Sequence, residues 1–398
     1  MKSPGWSAVV CTSLLAGTLA CGSNPTGPPE SIVAPVIESD GIAFDGQAIP
    51  AELIERLAPN RVVVVGETHH LTEHREFMAA LVRELHGRGF RQLLMELPQM
   101  VDWLLVEYVN DGEAVPPGWQ LPVELGHQLL AAVRDFNRTV PAGEQLLVRG
   151  IDANLDEYGG TDSFLDLFAW YAARLSEPGP ITAFLSSPYD TPAEQAAAIG
   201  RLQDDLEAQR DELLAAWGQS ELETVDAMVD AERASIPIRA DRQDRYETSV
   251  RAREELIKRL CDERVAASPG GTLINIGGNH AQKSHMKGTE LEWLGDYLVH
   301  RSPATDGSVY VLVVSAARIV SPDGATTLFD LSASPPNELF RMMQEAFPGR
   351  TVFLPLDDPL FTDEGVLVNF EEEIYSSRLK RVYDGALQYP SAHRDPGV

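Results

Sequence analysis

The stretch RVVVVGETHHLTEHREF, residues 61–77, constrains the fold of this chain more than any other. A β-branched apolar run, Val62–Val65, ends in Gly66, and Glu67, His69, His70, Glu73 and His74 follow within eight positions. A short, wholly apolar run cannot be the surface of an amphipathic helix. It reads as a strand buried on both faces, which is the signature of a parallel sheet covered by helices. In open α/β sheets ligands gather outside the carboxyl ends of the strands, and that is where this run delivers a carboxylate and imidazoles.

Four further runs repeat the pattern: Gln92–Leu97, Gln145–Ile151, Gly271–Gly277 and Val309–Val314, with weaker candidates at Thr351–Pro355 and Tyr383–Tyr389. Helical spacings separate most of them, as at Phe77, Met78, Leu81, Val82 and Leu85 within 72–86, where Gly87 and Gly89 stop the helix. The expected fold class is therefore α/β, a mainly parallel central sheet flanked by helices. Between the third and fourth of these strands, about 163–267, the sequence is helical and polar without a strand signal. It is expected to form a long helical insertion, a lid of the kind that covers clefts at strand tips.

Four runs end in side chains able to do chemistry. The first ends at Glu67 with His69 and His70, the second at Glu96, the third at Asp152 and the fourth at Asn279 and His280 in GGNHAQ. If the strands are parallel, these tips share one edge and the groups converge. Glu96 sits in an otherwise apolar run, where an isolated charge demands a partner. His74 falls on the first turn of the next helix, where it supports the site or faces solvent. Gly277 and Gly278 suggest close approach of the backbone, or a turn that aims His280. GGNHAQ lacks the spaced glycines of a dinucleotide fingerprint, and no G-x-S-x-G elbow or H-E-x-x-H pair occurs, which argues against a classical serine hydrolase and a zincin.

The formal charge of -28 argues against nucleic acid or an anionic lipid surface as the main partner. The N-terminus reads as a targeting segment. An apolar stretch from about Trp6 to Ala20, too short to span a bilayer comfortably, runs into Thr18-Leu19-Ala20-Cys21-Gly22, which resembles a bacterial lipobox with Thr18 in place of the usual leucine. Residues 1–21 are thus expected to be a lipoprotein signal with Cys21 as the lipidated residue. Residues 22–40 then form a flexible tether rich in proline and glycine, and 41–398 the folded domain. The protein is expected at the cell envelope, held to a membrane by its lipid alone. The remaining cysteine, Cys261, lies in a helical apolar pattern and reads as a buried structural thiol.

These motifs resemble the superfamily of erythromycin esterases and ChaN-type haem-binding lipoproteins. GETHHLTEH places His69 at the ChaN spacing, with a later His74, and His70 at the esterase spacing; MELP carries a second acidic position at Glu96; GGNHA carries a terminal histidine at His280. VRAREELIKRL, with Arg253 and Glu254, resembles the arginine-acidic helix that precedes the last motif in the esterases, and KRVYDGALQYP their closing strand. The likeness runs over roughly 55–390, but its sharp motifs cover a few dozen positions. Two departures stand out: Met78 and Ala79 lie where the esterases carry an arginine, and Gly277 where they carry an earlier histidine.

Two expectations follow. In the first, the protein is a hydrolase of an ester- or lactone-type small molecule. His69 or His70 activates water, Glu67 orients the imidazole, Glu96 shares a proton, His280 and Arg253 stabilise the oxyanion, and His74, Asp152 and Asn279 support them. A metal-dependent variant is the secondary form of this reading, because Glu67, His69, Glu96 and His280 are acceptable ligands for a divalent metal. In the second, the same histidines bind haem or iron.

Overall fold

In the computed structural model of the chain, Val62–Val65 lie at the centre of an eight-stranded sheet, each without solvent exposure. The structure describes residues 30–46, 48–110, 121–187, 189–284, 291–330, 338–362, 367–368, 377–378 and 382–395. In chain order the strands are β1 (Ile42–Phe44), β2 (Val62–Glu67), β3 (Phe90–Pro98), β4 (Leu147–Asp152), β5 (Gly271–Gly277), β6 (Val309–Ala316), β7 (Arg318–Val320), β8 (Thr327–Asp330), β9 (Thr351–Pro355), β10 (Leu367–Val368), β11 (Ser377–Arg378), β12 (Gly385–Tyr389) and β13 (Ala392–His393). The main sheet has the order β1-β9-β12-β6-β2-β5-β3-β4. The six strands from β12 to β4 are mutually parallel, and β9 runs against β12. The small ladders β10-β11 and β13-β7-β8 lie outside the main sheet.

The alternation along β2 shows why the run is apolar throughout. Val63 and Val65 point into one core with Phe77, Leu81, Phe164 and Trp217. Val62 and Val64 point into the other with Ile257, Leu260, Ile274 and Phe340. Helices cover both faces, so neither phase of the strand can be polar. The α/β, mainly parallel architecture expected from the sequence is the one found. The weak candidate at 383–389 contains β12, which sits between β9 and β6.

The stretch between β4 and β5 is helical, in six α-helices running from Gly160–Ala172 to Tyr246–Ala267. It does not behave as one unit. The first five pack mainly into the core on the Val63 face, through residues such as Phe168, Ile199 and Val229. The sixth, Tyr246–Ala267, places Leu256, Ile257, Leu260 and Cys261 on the opposite face, as a crossover helix does. Cys261 is a free, buried thiol, and burial pushes its pKa up.

The tether needs a correction. Residues Glu30–Asp40 form a helix whose Val33 and Ile37 are buried against Leu339, Phe340 and Met343. Val33, Val36 and Ile37 supply the apolar face that the prolines upstream lack. The signal segment, Cys21 and residues 22–29 lie outside the described residues. No described helix is long and apolar enough to cross a membrane.

Candidate active site

Parallel pairing brings the tips of β2, β5, β3 and β4 side by side, in that order. With strands about 4.8 Å apart, adjacent tips lie within side-chain reach of one another. Glu67, Glu96, Asp152 and His280 therefore meet along one edge. Glu96 turns into the cleft where the β3–β4 register slips between Met95 and Pro98.

The β2 tip is organised around Glu67. His69 donates from Nδ1 to Glu67 Oε1 at 3.0 Å, and Asn275 on β5 donates from Nδ2 to Oε2 at 2.9 Å. His74 Nε2 lies 2.9 Å from the same Oε2 and 2.7 Å from Asn275 Oδ1. The side chain of His74 is only 2% exposed, which removes the solvent-facing alternative: it is a wall of the site. Gly66 is required beneath, because a Cβ there would stand 2.8 Å from Ala281 Cβ.

Glu96 joins this group to the next. Its Oε2 accepts the Gly277 N–H at 2.6 Å and lies 3.9 Å from His69 Nε2. Its Oε1 accepts from Arg253 Nη2 at 2.6 Å and lies 3.4 Å from His280 Nε2. Arg253 is gripped from the other side by Asp152, through Nε at 2.8 Å and Nη2 at 2.5 Å. Tyr158 donates its hydroxyl to the Glu96 carbonyl at 3.1 Å. His280 donates from Nδ1 to Glu254, a wholly buried carboxylate whose other oxygen accepts the Leu294 N–H at 3.0 Å. Gly277 permits all of this: a Cβ there would come within 2.7 Å of His69 Nε2 and 3.2 Å of Glu96 Oε2.

Protonation follows from these contacts. Burial alone would raise Glu67, but hydrogen bonds from His69 and His74 hold it well below the carboxylate range. Burial likewise disfavours ionised Glu96, and His280, His69 and Arg253 reverse that. Desolvation would lower His69, yet Glu96 and Glu67 lift it from 6.5 to about 9. His280 is buried more deeply, and Glu254 and Glu96 lift it to about 10. His70 goes the other way, to about 4, through burial and then the neighbouring charges of His69 and Arg394. The side chain of His69 is 48% exposed and that of His280 10%, so His69 is the imidazole an incoming molecule meets.

Of the sequence candidates, Glu67, His69, His74, Glu96, Asp152, Arg253 and His280 form one connected cluster. His70 stands beside it, its ring centroid 5.8 Å from that of His69 and its backbone at φ 63°. Asn279 hydrogen-bonds Gln282 and, among the described residues, none of the cluster. Among the described residues no group of three or more His, Cys, Asp or Glu is placed to hold a metal ion. Glu67, His69, Glu96 and His280 are engaged with one another instead, each imidazole giving its Nδ1–H to a carboxylate. Asn275 escaped the sequence reading because a single asparagine within GTLINIG looks like a tolerated polar residue. Glu254 adjoins Arg253 and was visible only as part of its helix.

No protein-family profile matches the sequence, and no curated protein does. Solved structures do share its fold. A mutant of erythromycin esterase EreC in its open conformation is 16% identical and superposes with a TM-score of 0.60 over 87% of this chain and 95% of its own. A protein from Bacillus cereus and a succinoglycan biosynthesis protein are each 15% identical, with TM-scores of 0.65 and 0.66, over 92% of this chain and 99% of theirs. The chain thus has the erythromycin esterase-like fold.

Proposed function

We propose that this protein is a hydrolase of an ester- or lactone-type small molecule, and that His69 is the base that activates water. One observation carries the reading: a histidine oriented through Nδ1 by a buried carboxylate, with Nε2 turned towards a second carboxylate and half open to solvent. An imidazole held this way can take a proton on one nitrogen only, at the open face. Water adds to the carbonyl carbon as its proton passes to Nε2 of His69. The carbonyl electrons move onto oxygen, and the cationic His280, held by Glu254, faces that charge from the far side of Glu96. Collapse of the adduct breaks the bond to the leaving oxygen, which takes the proton back from His69. Arg253, fixed between Asp152 and Glu96, keeps Glu96 ionised and in place.

The fold shared with an erythromycin esterase supports this reaction class without naming the substrate. The purified protein is tested on a panel of esters and lactones, with and without chelator. Hydrolysis that survives chelation and disappears in His69→Ala supports the proposal. Activity that survives His69→Ala refutes His69 as the base. We propose further that the chain is held at the cell envelope by lipid on Cys21; Cys21→Ser should then move it from the membrane fraction to the soluble one.

A further inference from the structure

Glu96 and Leu97 stand outside the ladder of the main sheet. β3 pairs with β5 as far as Met95, and with β4 at Met95–Gly150 and again at Pro98–Asp152, so two residues of β3 oppose one of β4. A bulge of this kind bends its strand and re-aims a side chain, and here it turns Glu96 into the cleft. Gly150 makes room for it: a Cβ there would stand 2.5 Å from the Leu97 carbonyl oxygen and 2.7 Å from that of Pro98.

A carbonyl at a bulge needs a partner from outside the ladder. Tyr158 donates its hydroxyl to the Glu96 carbonyl at 3.1 Å, and the Tyr158 oxygen lies 3.5 Å from Asp152 Oδ2. Tyr158 is buried, and its own segment is tied down. Asn154 donates its N–H to Ser235 at 2.8 Å, and its amide to Glu232 at 2.9 Å and to the Gly160 carbonyl at 2.6 Å. Arg239 closes the group, donating to the Asn154 carbonyl at 2.6 Å and to the wholly buried Glu232 at 2.5 Å. Glu232, Ser235 and Arg239 all belong to the helix Gln219–Asp241. One helix between β4 and β5 therefore fixes the loop that carries Tyr158.

Glu96 acts on His69 through space. Its Oε2 lies 3.9 Å from His69 Nε2, beyond hydrogen-bond distance, so their separation is set by what holds each of them elsewhere. Gly277 and Arg253 hold the Glu96 carboxylate; Tyr158 holds its main chain. We propose that Tyr158 is a positioning residue for Glu96: its hydroxyl fixes the carbonyl at the bulge and so sets how closely the carboxylate faces His69. This rests on His69 as the reacting imidazole. It gives Glu232 and Arg239 a part in the site through the loop they hold.

The test compares the full-length protein with Tyr158→Phe, Glu96→Gln and the double variant. Phenylalanine keeps the ring and removes one oxygen. The readouts are the titration of His69, followed by its ¹⁵N resonances, and the kcat and KM of ester hydrolysis. The charged and titratable groups facing His69 are Glu67, Glu96, His70 and His280. Burial would lower His69, and Glu96, then Glu67, lift it to about 9. Glu96→Gln removes the first of these lifts, so His69 should titrate about 1–3 units lower. Tyr158→Phe should lower it by about 1 unit and cut kcat by about 10-fold with KM nearly unchanged. In the Glu96→Gln background the same substitution should change neither quantity further, because Tyr158 acts through Glu96. A merely structural hydroxyl would lower the melting temperature equally in both backgrounds and leave His69 at about 9. That result, or equal effects of Tyr158→Phe on His69 with and without Glu96, overturns the proposal. The titration needs no substrate: if no ester is hydrolysed it still decides on Tyr158, while the missing activity counts against the hydrolase reading.

Discussion

Glu254→Gln is the most informative single perturbation of the site's electrostatics. Glu254 has no solvent exposure; it accepts from His280 Nδ1 through one oxygen and from the Leu294 N–H through the other. Glutamine keeps the shape and removes the charge. The lift of His280 from 6.5 to about 10, against a burial effect that opposes it, measures how strongly Glu254 and Glu96 favour the cation. Breaking a buried pair by neutralising one partner typically costs about 3–5 kcal/mol, a large share of a typical total stability of about 5–15 kcal/mol. The sign of the pH dependence is fixed by the direction of the shift. The folded-state pKa of His280 lies above its unfolded value, so the stabilisation is fully present below pH 6.5 and is lost as pH rises through about 10. Urea unfolding at pH 6 should therefore show the variant about 3–5 kcal/mol less stable than the parent, and the gap should shrink at pH 10. A cost under about 1 kcal/mol at pH 6, or the same cost at both pH values, would refute the buried ion pair.

Other residues give equally direct tests. Gly277→Ala puts a Cβ within 2.7 Å of His69 Nε2, so hydrolysis should fall by about 10–100-fold while circular dichroism shows the fold retained. Arg253→Lys cannot reproduce the two bonds to Asp152 together with the bond to Glu96; calorimetry should record a loss of about 3 kcal/mol, and kcat should fall with it. Val33→Ala with Ile37→Ala removes two side chains from the core and should cost up to about 3–6 kcal/mol in a denaturant titration.

The parts of the fold legible in the sequence were those in which one face of the physics dominates. Val62–Val65, Gln92–Leu97 and Gly271–Gly277 are apolar in both phases because helices cover both sides of the sheet, and that pattern has few other readings. The short antiparallel pieces escaped because three residues such as Arg318–Val320 carry no period to read. Residues 30–40 were masked by the prolines around them: composition pointed to a tether, while burial of two side chains against a distant helix decided the outcome. At the site, charged residues at strand tips were conspicuous, and the parallel order made them neighbours. Asn275 and Glu254 were not conspicuous, because their importance comes from what they touch across 201 and 26 residues of sequence. The choice between His69 and His70 was likewise closed to spacing alone. It turns on a left-handed backbone at His70, which sends consecutive imidazoles into different surroundings.

The measurement that tests the account most directly is the pH dependence of kcat/KM on any ester or lactone the protein hydrolyses. His69 and His70 lie on opposite sides of neutrality, at about 9 and about 4. With His69 as the base, its neutral form appears as pH rises, so log(kcat/KM) should climb with unit slope and level off near pH 9, and His69→Gln should abolish the activity. A limb near pH 4 that vanishes in His70→Gln, with a flat profile across neutrality, would give the role to His70 and contradict the assignment made from the Glu67–His69 hydrogen bond.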